Sequence, residues 1–440
     1  MPDRPNVVIL VTHDTGQHVS PYGIHTVHTP ACERLAAEGV RFAKSFCTAP
    51  LCSPSRAALF TGRYPHQNGV MGLVGHPRVG GWDLARSPGE RHAAKLFAEA
   101  GYATVLCGNL HEASDWRALG FHQAISGSGT GANDGGDILQ HADHLDAWLA
   151  RRNPGQPFYL QIGSAETHRP WRARGATPDD TRGVWMPPYL RDLPELREEM
   201  AELQGAVRRY DTALGRILNV LDRHGLAEHT IFVSTTDHGI DVPRAKGTFY
   251  DPGIETLLFM RYPAGGWGAG RVVHELVSNV DILPTLLEAC GLEVPGNLAG
   301  RSFLPLLKGE PYSPREVLFA EKTYHDTYDP TRALRTARYK YIRYFEVCIF
   351  PDLRLATIPR THYFKEWGLR NRVEELYDLQ SDPWEEHDLA GDPACAPLLD
   401  EMRTCLARWM RETDDPLVHG PVASPYFEAQ RRALLEGAEG

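Results

Sequence analysis

Four short apolar runs, Asn6 to Thr12, Tyr102 to Gly108, Pro157 to Gly163 and Thr230 to Thr236, constrain this chain more than any other feature. None alternates cleanly between polar and apolar residues, so each reads as a strand buried on both faces, the pattern of a parallel sheet covered from both sides. Around them lie Cys32 to Ala37, Arg91 to Ala100, Asp137 to Ala150 and the long Leu196 to His224 segment, where apolar residues recur at the three- and four-residue steps of amphipathic helices. This alternation predicts an α/β fold with a mainly parallel central sheet flanked by helices. Thr256 to Tyr262 and Glu316 to Glu321 are further strand candidates, and the Gly-rich stretch Ser126 to Gly136 reads as a surface loop. After about Pro330 the texture changes. Arg332 to Tyr344 and Glu375 to Leu379 read as antiparallel strands and Pro397 to Trp409 as a closing helix. A main domain over 1–330 and a smaller C-terminal domain of antiparallel sheet plus helix over 331–440 are therefore expected.

In an open α/β sheet, ligands sit beyond the carboxyl ends of the strands. Polar residues follow each of the four runs: His13 and Asp14 the first, Asn109 and His111 the second, His168 the third, Asp237 and His238 the fourth, with Lys246 a little further on. With 20 histidines in the chain, one histidine after a strand is ordinarily a loop residue or a helix cap. Recurrence after successive strands is what points to a site. If Asp14 and Asp237 share a rim, their carboxylates repel unless a divalent cation separates them; the bland alternative is that both are helix N-caps.

The stretch Cys52-Ser53-Pro54-Ser55-Arg56, continuing to Thr61-Gly62-Arg63, reads as a short helix with Ser53 as N-cap, Pro54 at the first position and Gly62 as the stop. Cys52 then sits at the helix mouth, where free amides favour a sulfate, a phosphate or a thiolate. Arg56 lies in the first turn, where a cation opposes the helix dipole by about 0.3–1 kcal/mol, so another interaction must hold it there.

Composition removes some classes of function. A formal net charge of −10 argues against non-specific nucleic-acid binding. No apolar stretch reaches transmembrane length, and Asn6 to Val11, after Met-Pro-Asp-Arg-Pro, is too short for the core of a signal peptide. Eight scattered cysteines do not form a disulfide framework, which fits a reducing compartment. The expectation is a cytoplasmic protein without a membrane partner.

Cys52-Ser53-Pro54-Ser55-Arg56 with Thr61-Gly62-Arg63 resembles the motif of the type I sulfatases. The resemblance extends along almost the whole chain and implies an alkaline-phosphatase-like fold. Glu375-Leu376-Tyr377-Asp378-Leu379, Asp382-Pro383 and Asp388-Leu389-Ala390 are similar to that family's C-terminal element, and His66-Gln67-Asn68-Gly69 with Arg411-Glu412-Thr413-Asp414-Asp415-Pro416 resemble its heparan N-sulfatase (sulfamidase) branch. It implies that a separate formylglycine-generating enzyme oxidises Cys52 to formylglycine, whose hydrate attacks sulfur or phosphorus with one hydroxyl and expels the anion with the other. It further implies that Asp14, Asp237, His238 and the modified Cys52 bind one divalent metal, with calcium usual, and that Arg56 steadies the formylglycine. His111 would be the base that releases sulfate; His168 and Lys246 would hold the sulfuryl oxygens, one of them protonating the leaving group. His325 and Asp326 would face the substrate.

Two positions depart from the family pattern. His13 stands where an aspartate is usual and Asn109 where a lysine is usual, so one negative and one positive charge are absent. If both face the site, its net charge is unaltered and Asn109 joins the substrate-facing set. Calcium prefers an all-oxygen shell, whereas His13 and His238 as ligands suit manganese or zinc. The expected activity is hydrolysis of a sulfate ester or sulfamate of a sugar or small organic molecule. A phosphonate monoester or phosphodiester hydrolase with the same nucleophile is the alternative, favoured by Asp237-His238 where many sulfatases have Asp-Asn. An unmodified, non-catalytic anion-binding relative is the third reading.

Overall fold

The computed structural model describes residues 4–75, 81–126, 135–325, 327–346 and 373–437. The chain runs through β1 (Asn6–Thr12), β2 (Val40–Phe42), β3 (Ser45–Phe46), β4 (Ala103–Gly108), β5 (Gln123–Ala124), β6 (Phe158–Gly163) and β7 (Thr230–Thr236). There follow β8 (Leu258–Arg261), β9 (Arg271–Val273), β10 (Val277–Ser278), β11 (Val317–Tyr324), β12 (Tyr328–Thr336), β13 (Tyr339–Tyr344) and β14 (Glu374–Asp378). Among the described residues, eight strands form one sheet in the order β5-β4-β6-β1-β7-β8-β2-β9, and β3 and β10 form a small separate pair. The four apolar runs are its centre, and they pair in parallel. Only β8 runs antiparallel to its neighbours β7 and β2.

Alternate side chains of β1 serve two cores. Val8 and Leu10 pack with the helices Pro30–Glu38, Ile138–Leu149 and Pro194–Arg223, while Val7, Ile9 and Val11 pack with Cys52–Thr61, Ala93–Glu99 and Ile282–Ala289. Burial on both faces is why β1 carries no polar alternation. Register then fixes what emerges at the rim: Val11 is level with Gly163, Gly163 with Gly108, and Thr12 with Thr236. The residues following these four ends are therefore neighbours.

Val317–Tyr324 does not extend the first sheet. It pairs with β12 in a four-stranded antiparallel sheet ordered β11-β12-β13-β14, against which the helix Ala396–Glu412 packs. The second sheet thus begins ahead of residue 331. β11 is covered on both faces: Leu318 and Ala320 are buried in a cluster with Phe46 and Ile342, while Val317 and Phe319, toward that helix, are half-buried.

The two sheets meet through buried charge. Asp251, from the helical turn Asp251–Ile254, accepts bidentately from Arg335 at 2.9 and 2.8 Å and also pairs with Lys340, whose Nζ lies 2.8 Å from Glu385. Glu385 in turn accepts from the backbone N–H of Asp251. Burial pushes the Glu385 carboxyl up; Lys340 opposes this, Asp251 adds to it, and the group settles at about 7. Because the folded state holds this proton more tightly than the unfolded chain, Glu385 favours folding less as pH rises from its ordinary value of 4.5 to about 7. Glu385→Gln keeps an acceptor for Asp251 without the titration. Its melting temperature relative to the parent should climb as pH rises from 5 to 8 in thermal melts; a pH-independent difference would contradict this.

Candidate active site

The helix bearing Cys52 spans Cys52–Thr61, two residues earlier than the capping pattern implies. Leu51, extended, is its N-cap, and Cys52 occupies the first turn. The Ser53 hydroxyl accepts from the backbone N–H of Val74 at 3.1 Å, so it serves a neighbouring segment and not the helix end. Gly62 closes the helix as expected, at φ 65° with its N–H on the Ala58 carbonyl.

Two carboxylates converge on Cys52. Asp14 follows β1 at φ 49°, a left-handed turn that aspartate tolerates, and its N–H donates to Asp237 Oδ1 at 3.0 Å. The ligand atoms of His13, Asp14, Cys52 and Asp237 all lie within 4.8 Å of one another, and all four residues are buried. Those of His13, Cys52 and His111 form a second group within the same distance. His238 Nε2 lies 3.2 Å from both Cys52 Sγ and Asp14 Oδ1, and 3.6 Å from Asp237 Oδ1.

The imidazoles show what the centre accommodates. His238 Nδ1 is 3.0 Å from the Gly239 carbonyl and donates to it, so the Nε2 lone pair faces the two carboxylates. His13 Nε2 is 2.9 Å from Asn109 Oδ1, while its Nδ1 lies 2.7 Å from Asp237 Oδ2. Two ring nitrogens and two carboxylates converge here, and a cation among them, a proton or a metal ion, answers the negative charge. The donor set fits a divalent metal that accepts both nitrogen and oxygen.

Two cations frame this centre. Lys246 Nζ is 2.7 Å from Asp14 Oδ2 and 3.7 Å from Asp241 Oδ2; burial works against its charge, but Asp14 and the neighbouring acids hold its pKa well above the ordinary lysine value. Arg56, fully buried, places Nε 3.3 Å from Asp237 Oδ2 and donates from Nη2 to the Val11 and Thr12 carbonyls at the end of β1. This pairing, against the helix dipole, is what holds a cation in the first turn. Burial raises the Asp237 carboxyl, but His238, His13 and Arg56 outweigh it and leave it well below the usual range.

Burial also sets the remaining groups. It pushes the Cys52 thiol well above its ordinary value, with Lys246 and Arg56 opposing and Asp237 and Asp14 reinforcing, so the expected thiolate at the helix mouth does not form. His111, whose ring lies 5.4 Å from that of His13, is driven well below 6.5 by burial and by His13 and Arg56. His168 is lowered to about 4 by burial and then Lys246; its Nδ1 donates to the Arg169 carbonyl and its Nε2 is 4.0 Å from Asp14 Oδ2.

The structure thus gathers His13, Asp14, Cys52, Arg56, Asn109, His111, His168, Asp237, His238 and Lys246 at one rim. Asn109 is fully buried, with Oδ1 on His13. His325 follows β11, with its N–H on the Thr327 carbonyl, and belongs to neither donor group; Asp326 lies outside the described residues. Sequence reading missed several supports. Asp241 is the second carboxylate on Lys246; Glu112 accepts from the His111 N–H at 2.9 Å and from Gln161 at 2.8 Å. Asn279 Nδ2 donates to Ser55, whose hydroxyl donates to the Asp237 carbonyl. Asp241, three residues after His238, stood within reach of a strand-end search; Asn279 carries no local signal.

The family model described as Sulfatase matches residues 5–292, and one described as N-sulphoglucosamine sulphohydrolase, C-terminal, matches 244–353. An ulvan-active sulfatase of Formosa agariphila is 28% identical over 443 residues, covering 96% of this chain and 83% of that protein. Human N-sulphoglucosamine sulphohydrolase is 27% identical over 481 residues, covering 95% and 92%. A structure solved with its substrate D-glucosamine-2-N,6-O-disulfate superposes with a TM-score of 0.73 at 20% identity, covering 94% of this chain and 98% of that one.

Arg56→Met should remove the buried counter-charge of Asp237 and the donor to two β1 carbonyls. We expect a loss of about 3–5 kcal/mol in urea unfolding of the metal-free protein. A loss within experimental error would mean that Arg56 does not support Asp237.

Proposed function

The chain belongs to the sulfatase family, and from that membership we propose that it hydrolyses a sulfate ester or sulfamate of a sugar or other small organic molecule. The convergence of Asp14, Asp237 and His238 Nε2 on Cys52 carries this reading. Relatives named for ulvan and N-sulphoglucosamine support a sulfated saccharide as substrate. The metal would be held by His13, Asp14, Asp237, His238 and residue 52, where it would neutralise the carboxylates and draw charge from the oxygens of the anion. A formylglycine hydrate at position 52, made by a formylglycine-generating enzyme, would supply the attacking oxygen and the hydroxyl that later expels the anion. The buried, protonated thiol is a weak nucleophile by itself, which supports the need for that modification.

The chain's own residues divide the remaining work. Lys246, kept cationic by Asp14, binds the oxygens of the anionic group. His168 is neutral in the empty site, but an arriving anion opposes both the burial and Lys246, favours a proton on Nε2, and so readies it for the leaving group. His111, kept neutral by burial, accepts the proton whose removal lets the anion depart. No described helix is long and apolar enough to cross a membrane, and the described cysteines are all free thiols; the latter supports a cytoplasmic enzyme.

Paired assays on an aryl sulfate and an aryl phosphonate test the reaction class. Faster turnover of the phosphonate would favour the alternative hydrolase, and an unmodified Cys52 peptide by mass spectrometry would favour a non-catalytic anion binder.

Cys52→Ala should lower turnover by about a thousandfold or more while leaving the circular dichroism spectrum unchanged. Turnover within tenfold of the parent would end the assignment. His111→Ala should release the leaving group in a rapid burst of about one equivalent per site and then slow, because only sulfate departure needs the base. Equal slowing of both phases, without a burst, would move the base elsewhere.

A further inference from the structure

The two departures from the family pattern touch each other. Asn109 Oδ1 lies 2.9 Å from His13 Nε2, both residues being fully buried, although 96 positions separate them in the chain. Asn109 is also held rigidly. Its N–H donates to the Gly163 carbonyl at 3.1 Å, a Cβ on Gly163 would fall 1.9 Å from the Asn109 carbonyl oxygen, and one on Gly135 would fall 2.6 Å from its nitrogen. Only glycines at 163 and 135 permit this approach, so the backbone of Asn109 is fixed beside the imidazole.

We infer that Asn109 is a positioning residue. Its carbonyl oxygen accepts the Nε2 proton of His13, fixes that imidazole with its Nδ1 lone pair beside Asp237 Oδ2, and so gives the site a nitrogen donor where a carboxylate would otherwise stand. This rests on the proposal that the centre holds a divalent cation. His238 receives the same treatment by different means, through its Nδ1–H on the Gly239 carbonyl. Both imidazoles thereby present lone pairs to the two carboxylates, and the site is biased toward a cation that takes imidazole as readily as carboxylate, such as Mn²⁺ or Zn²⁺, over Ca²⁺. A lysine at 109 has no acceptor with which to hold an Nε2 proton, and an aspartate at 13 would have no such proton to hold. The charges balance as well, since His13 withdraws one negative and Asn109 one positive charge from the same contact.

Two measurements test this without using turnover. Nitrogen-15 spectra of the Zn²⁺-loaded protein report which His13 nitrogen carries the proton, assigned by comparison with His13→Asp; a protonated Nε2 and a metal-bound Nδ1 are expected, and a ring protonated on Nδ1 would overturn the inference. Calorimetric titration with Mn²⁺, Zn²⁺ and Ca²⁺ should show tighter binding of the first two. Asn109→Leu should weaken Mn²⁺ and Zn²⁺ by about 10- to 100-fold, while Asn109→Asp, which keeps an acceptor, should stay closer to the parent. In a His13→Asp background, Asn109→Leu should lose most of that effect, since no imidazole remains to orient, whereas a purely structural role would persist. Undiminished Mn²⁺ and Zn²⁺ affinity in Asn109→Leu overturns the inference alone. Failure of the parent to bind any of the three cations removes the metal reading beneath it.

Discussion

Asp14 and Asp237 are buried side by side at the ends of β1 and β7, and two carboxylates in that position cost far more than the fold can tolerate unless their charge is answered. The surrounding residues are arranged around that demand. Arg56 reaches Asp237 from the helix below, Lys246 reaches Asp14 from the loop above, and the Asp14 and His238 amides both donate to Asp237 Oδ1. The imidazoles of His13 and His238 turn ring nitrogens toward the same two carboxylates. The same low dielectric that makes the pair costly also keeps Cys52 protonated and His111 neutral.

The sheet supplies the precision this needs. Parallel pairing brings Gly108, Gly163, Val11 and Thr235 level, so the residues after them meet without long loops. Gly163 shows how tight the arrangement is, since its missing side chain is the space that the Asn109 backbone fills. Below the rim, Thr167 donates to the His13 carbonyl, and the Thr15 hydroxyl lies 3.0 Å from both that carbonyl and the Thr167 oxygen, which fixes the backbone carrying the histidine.

The smaller sheet is tied to the catalytic half by charge as much as by apolar packing. His66 lies 2.6 Å from Glu321 of β11 and 3.2 Å from the Thr413 carbonyl, and Arg332 joins Glu321 to Asp415. The His66 to Gly69 and Arg411 to Pro416 segments, both resembling the sulfamidase branch, thus meet in space. Burial lowers the basicity of His66, but Glu321 more than restores it.

The sequence by itself determined the central strands, because a strand buried on both faces must be apolar almost throughout, and it determined which chemistry-bearing residues stand at their ends. Its helix signals placed the Pro194–Arg223 and Ala396–Glu412 helices to within three residues at each end, and the Cys-x-Pro-Ser-Arg stretch pointed to the family. Capping propensity failed at Ser53 because a tertiary partner, the Val74 N–H, competed for the hydroxyl. Sheet membership of Val317–Tyr324 was not legible, since a short apolar run does not say which edge it joins. Only the tertiary structure decided that Arg56 serves Asp237, that Asp241 shares Lys246, and that His13 rests on Asn109. Each of these is a contact between residues on different elements, set by sheet register and the angles at which loops leave it, and neither quantity is written in local composition.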